Sequence, residues 1–211
     1  MRLGMRHSLV CMTVVCAILL ASAAASANRI RVSNQNIRIA WRTLTFRTEL
    51  FTVTCEVTLE GTFHSATFPK TAGLLLGYIT RAISRNETCA NGRVWMLNGT
   101  EREEGFTLGN TLPWHFVYEG FSGTLPFFTS IRVGIIGMAY RIAAAGERCL
   151  YRSTPTEPQL LFMNREGGRT EEERSIPAEE ESRLCPGRVE ISGFGTLSVL
   201  GTVTNISFTL I

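Results

Sequence analysis

From Phe51 the chain alternates. Phe51, Val53, Cys55, Val57, Leu59, Gly61 and Phe63 are apolar or small, while Thr52, Thr54, Glu56, Thr58, Glu60, Thr62 and His64 between them are polar. A period of two is the pattern of a strand with one face buried and one in water. Gly61 marks a bend or bulge within it. Upstream, Ile37, Ile39 and Trp41 alternate, and the phase then slips to Leu44 and Phe46, which requires a bulge or turn near Thr43. Further strands are expected at 93–97, at 114–118, along the apolar run 131–142, at 160–163 and over 187–211. Turn-forming segments separate them, including Ala90-Asn91-Gly92, Asn98-Gly99, Gly120 to Gly123 and Cys185-Pro186-Gly187. Residues 74–83 fit either a short helix or a buried strand, because a short apolar run carries no usable period. The pattern predicts an all-β, antiparallel sandwich or barrel-like domain with at most one short helix.

The first residues do not belong to that pattern. Arg2, Arg6 and His7 precede an apolar stretch from Leu9 to Leu20, and small residues follow, ending Ala25-Ser26-Ala27. A basic start, an apolar core and a small-x-small site define a secretory signal peptide, with cleavage between Ala27 and Asn28. The apolar core is shorter than the roughly 20 residues a membrane-spanning helix needs. No later segment reads as a transmembrane helix; the best candidate, 131–145, contains Arg132 and Arg141. Residues 28–211 then form a single β domain, secreted or held at the cell envelope. Removing Arg2 and Arg6 lowers the formal charge from +3 to +1, so nothing in the charge points to nucleic acid.

Export changes the reading of the cysteines. Cys11 and Cys16 leave with the signal, and Cys55, Cys89, Cys149 and Cys185 remain. An even number in an oxidising compartment implies two disulfides. Three pairings are open. Cys55 with Cys185 is preferred, since each adjoins a well-patterned strand near one end of the domain. The wide spacing argues against a zinc or redox motif, and no metal site or cofactor is assigned.

One segment departs from the β pattern. Residues 165–183 hold seven glutamates and four arginines, and are expected to form a solvated, mobile loop that folding does not need. Its glutamate runs would make a poor cation cage.

Catalytic motifs are missing. The chain has no aspartate, one lysine (Lys70), and no nucleophile-elbow, phosphate-loop or dinucleotide fingerprint. No catalytic residue is assigned. A hydrolase using glutamates would have to draw them from different strands: Glu56 and Glu60 on one strand stand about 13 Å apart, against the roughly 5 Å a retaining glycosidase requires. His64 and His115, the two histidines after the signal, both fall on polar strand faces and are expected to be exposed or satisfied there, the alternative being that they converge across a sheet to bind a metal with a glutamate. The densest aromatic stretch is Leu112 to Pro126. It makes Trp114, His115, Tyr118 and Glu119 the candidate ligand-binding residues, with Trp114 and Tyr118 on one face and His115 and Glu119 on the other. Sequons occur at Asn86, Asn98 and Asn205.

Thr54-Cys-Glu-Val-Thr-Leu-Glu-Gly61, the 112–126 stretch, Cys149-Leu-Tyr151 and Leu184-Cys-Pro-Gly187 together resemble a group of exported β proteins from high-GC Gram-positive bacteria. The resemblance covers most of the mature chain. It implies a structural framework and brings no activity or functional residue with it. The leading expectation is a non-catalytic binding or structural β domain whose partner is an extracellular glycan or protein. The alternatives are a secreted glycan-directed hydrolase and an envelope or membrane-active barrel.

Overall fold

The computed structural model describes residues 29–167, 170–179 and 184–211. The predicted leader and its cleavage site at Ala27 and Asn28 lie outside these residues. The described chain contains sixteen strands and no helix: β1 (Arg29–Val32), β2 (Asn36–Arg47), β3 (Thr52–Phe63), β4 (Thr67–Pro69), β5 (Leu75–Ala90), β6 (Arg93–Met96), β7 (Arg102–Glu103), β8 (Phe106–Thr107), β9 (Trp114–Thr124), β10 (Phe127–Ile136), β11 (Ala139–Ala144), β12 (Glu147–Arg152), β13 (Gln159–Asn164), β14 (Thr170–Glu179), β15 (Arg188–Val199) and β16 (Phe208–Leu210).

The main sheet closes on itself. Its order runs β13-β10-β9-β5-β3-β2-β15-β14, and β14 pairs back to β13, giving an antiparallel ring of eight strands. The expectation of a sandwich or barrel is thus resolved as a barrel. β12, β11 and β6 extend the sheet beyond β14 toward one end of the ring. β10 and β11, paired with β13 and β12, form one long bent hairpin.

Alternation decides what faces inward. In β3, Val53, Cys55, Val57, Leu59 and Phe63 are buried while the threonines and glutamates between them reach the outer face. Trp41, Phe46, Trp114, Phe116, Tyr118, Tyr140 and Tyr151 belong to one continuous core, with Phe63 against Phe116 at 5.2 Å and Phe46 against Tyr140 at 5.4 Å, both edge to face. A barrel that crosses a membrane shows the reverse, an apolar exterior around a polar lumen. No helix among the described residues is long and apolar enough to cross a membrane.

The two irregularities expected in β2 and β3 are present. Register shifts lie between Trp41 and Leu44 and between Glu60 and Gly61. At Gly61 a Cβ would stand 2.3 Å from the Tyr78 carbonyl, so the strands approach closely only because this residue has no side chain.

One open choice is settled and two expectations are corrected. Residues 75–83 are strand, the first part of β5, and no short helix forms there. β5 needs extended backbone to pair with β3 and β9 at once, and shifts beside Leu76 and Thr80 break its alternation. The charged segment is not a loop between 170 and 179. It is β14, paired with β15 from Thr170 to Pro177 and touching β13 at one end and β12 at the other. Thr170 and Ile176 are fully buried, so a few inward residues suffice to seat the strand. Residues 168, 169 and 180–183 of that segment lie outside the described residues. The disulfides are Cys55–Cys89 and Cys149–Cys185, not the preferred Cys55–Cys185. Cys55 lies on β3 beside the end of β5, where Thr54 pairs with Ala90, which puts Cys89 within reach.

The ends of the barrel differ. At one, a separate sheet of order β16-β1-β4 buries Ile30, Val32, Phe68 and Phe208, with Phe68 stacked on Phe63. At the other, β5 and β6 share a hairpin turn at Asn91-Gly92 but no ladder. Side chains close that seam instead: Asn86 Oδ1 accepts from Val94 N, Ser84 Oγ donates to Val94 O, Asn98 Nδ2 donates to Ala82 O, and the Glu101 carboxylate accepts from Ser84 N and Met96 N. Both disulfides lie toward this end.

Candidate functional site

The four residues singled out by sequence do not form one surface. Trp114 is fully buried, and its indole Nε1 donates to Thr111 Oγ1 at 2.9 Å. Tyr118 also points into the core; burial raises the pKa of its hydroxyl, partly offset by Arg132. Neither offers an exposed stacking platform. His115 is exposed on the outer wall. Glu119 sits at the β9–β10 bulge, where Arg132 pairs with Gly120 and Val133 with Tyr118. Its carboxylate lies over Gly134, 3.0 Å from where a Cβ would stand.

His115 does have company. Tyr78 of β5 is its direct cross-strand partner, with ring centroids 5.4 Å apart. His64, just past the end of β3, packs edge to face on the same Tyr78 ring at 4.8 Å and 85°. The backbone N–H of His64 donates to Leu76 O at 2.8 Å, which fixes the turn that carries it. Two imidazoles thus flank one half-buried phenol ring on the outer face of three strands. Next to this row runs Arg38–Glu60–Arg81, three residues that are direct cross-strand partners on β2, β3 and β5. Arg81 and Glu60 are ion-paired at 2.9 Å. The face therefore combines an aromatic ring with donors of both imidazole and guanidinium type.

The outward placing of His64 and His115 is legible from the polar strand faces. Tyr78 is not, because it falls in the stretch whose period is broken. Among the described residues no group of three or more histidine, cysteine or acidic side chains gathers to hold a metal.

The sheltered glutamates are committed elsewhere. Glu56 pairs with Arg85 at 3.4 Å. Burial pushes the Glu101 carboxyl above its ordinary range, against the pull of hydrogen bonds from Ser84, Met96 and Asn98. Glu103 is held by Arg141 and Arg148. A surface depression of about 470 Å³ lies between the β5–β6 and β11–β12 turns, lined by Arg93, Glu147 and Arg148 with Gly92 and Gly146. Of the sequons, Asn98 is buried in the seam, Asn86 is bonded to Val94, and Asn205 is exposed. Comparison with protein-family models, with curated proteins and with solved structures finds no match to this chain.

Proposed function

We propose that this chain is an exported, disulfide-locked barrel that works by binding, and that its ligand is an extracellular glycan held against Tyr78. The observation that supports this reading is the meeting of His64, Tyr78 and His115, residues distant in sequence, on one open face. A sugar ring presents C–H groups that pack on an aromatic face and hydroxyls that need donors and acceptors nearby. Tyr78 supplies the first, while the imidazoles and the Arg38–Glu60–Arg81 row supply the second. Core packing accounts for Trp114 and Tyr118, whereas it gives no reason for two exposed imidazoles to meet one tyrosine. The signal anatomy and the two disulfides support export, as does the resemblance to exported β proteins.

The test is retention of residues 28–211 on a panel of immobilised extracellular polysaccharides. Wild type should be retained by at least one, and Tyr78→Ala should lose that retention while its thermal midpoint stays within about 2 °C of wild type, as for a surface substitution. Equal retention of both proteins would refute the site, and a panel with no retention would refute the ligand class.

A further inference from the structure

Between β6 and β9 the chain leaves the barrel wall and returns. The excursion is pinned at its neck: Asn98 bridges Asn110, Leu108 N donates to Glu101 O at 2.9 Å, and Thr111 N donates to Leu97 O at 2.8 Å. Beyond the neck, β7 and β8 pair over two residues around a Glu104-Gly105 turn, and Phe106 beside that turn is 76% exposed. This strap reaches the outer face of β11 and β12, where its glutamates meet Arg141 and Arg148.

The wall beneath it is unusual. Trp95, Arg141 and Leu150 are direct cross-strand partners in one row. Val94 and Met96 beside Trp95 are buried in the core, so alternation turns this row outward. Yet Trp95 and Leu150 are each only 7% exposed. Leu150 also joins Leu97 and Ala139 in an apolar cluster separate from the barrel core. Arg141, in the middle of the row, gives its Nη1 to Glu103 Oε2 of the strap at 3.3 Å. Arg148, on the next row, gives Nε to the other Glu103 oxygen at 3.1 Å and pairs with Glu104. Glu103 itself is 7% exposed. An outward patch of tryptophan, leucine and two arginines is thus covered by a short segment of this same chain bearing two glutamates.

We propose that the patch formed by Trp95, Arg141, Arg148 and Leu150 is a docking surface for an acidic segment of a protein partner, and that the 102–109 part of the strap is its resident cover. Charge complementarity identifies the occupant: the buried Glu103 carboxylate lies between the Arg141 and Arg148 guanidinium groups, so a partner segment that takes the strap's place offers carboxylates to the same two arginines. Asn98 and Glu101 at the neck belong to the β5–β6 seam and stay in place; beyond them the strap is held by the Glu103 and Glu104 ion pairs, so 102–109 can lift while the ladder and the seam stay paired. This surface is separate from the Tyr78 face and does not rest on it.

Two measurements test the proposal. In the wild-type protein, amide hydrogen exchange at Leu108 should be about tenfold or more faster than at Ile142 and Val94, as for a segment that opens locally; equal rates would mean that the strap opens only with the barrel and would overturn the idea. In Glu103→Ala/Glu104→Ala, a synthetic peptide of residues 101–107 should shift the amide NMR signals of Arg141, Arg148 and Leu150. The same peptide with glutamine for each glutamate should not. Shifts by both peptides, or by neither, would overturn the proposal. If the double variant does not fold, the acidic peptide is titrated into the wild type, where a faster-exchanging strap predicts weaker shifts at the same three residues and their absence counts against it.

Discussion

At the end covered by β1, β4 and β16, the barrel wall is continuous backbone ladder, and a small sheet packs aromatic side chains over the opening. At the opposite end the ladder stops between β5 and β6. There Ser84, Asn86, Asn98 and Glu101 supply the donors and acceptors that a neighbouring strand would have supplied, and two disulfides hold the surrounding strands. A buried peptide group must be paired by something. Where the strands diverge too far for backbone pairing, short polar side chains take over, and covalent links reinforce the region. The capped end derives its strength from apolar packing, and the seam end from polar and covalent contacts.

The largest effect expected from this contrast belongs to the packed half. Trp114→Ala should cost about 3–5 kcal/mol, the range for removing a buried aromatic, and lower the thermal midpoint sharply. A small change would return Trp114 to the role of ligand platform. Replacing Cys55 and Cys89 by alanine should cost about 2–4 kcal/mol. Hydrogen exchange should then rise around β5 and β6 and remain slow in β9 and β10; a uniform rise would mean that the ends are not distinct. Asn98→Ala leaves the Ala82 carbonyl without its donor and should cost about 1–3 kcal/mol, measured by denaturant midpoint.

The smallest effect concerns pH. The Glu101 carboxyl lies above its ordinary value because burial outweighs its hydrogen bonds. A carboxyl whose folded value is raised contributes stability that is present below the unfolded value and lost as pH rises through the folded one. Wild type should therefore lose stability relative to Glu101→Gln as pH rises above the ordinary carboxyl range. A difference that stays flat, or grows with pH, would mean that the hydrogen bonds win.

How far the sequence reveals this depends on which side chains meet water. β3 is readable because its inner face is apolar and its outer face threonine and glutamate. The bulge near Thr43 is readable because it shifts that alternation by one. β5 hides its nature: its first half is apolar on both faces and its bulges scramble the phase, so helix and strand look alike until β3 and β9 are known to flank it. β14 hides for the opposite reason, since Thr170 and Ile176 are diluted among charges that suggest a loop. The split of Trp114 and Tyr118 from His115 and Glu119 follows directly from alternation. The Tyr78 cluster and the strap over Trp95 depend on contacts between distant strands, which no local period encodes.

The proposed glycan site on the outer face around Tyr78 has a direct spectroscopic signature. Its most direct test is to follow the imidazole NMR signals of His64 and His115 and the indole signal of Trp114 while a soluble oligosaccharide of a retained polysaccharide is added. Saturable shifts are expected at both histidines, abolished by Tyr78→Ala, with the Trp114 signal unmoved. Shifts confined to Trp114, or histidine shifts that persist in Tyr78→Ala, would contradict it.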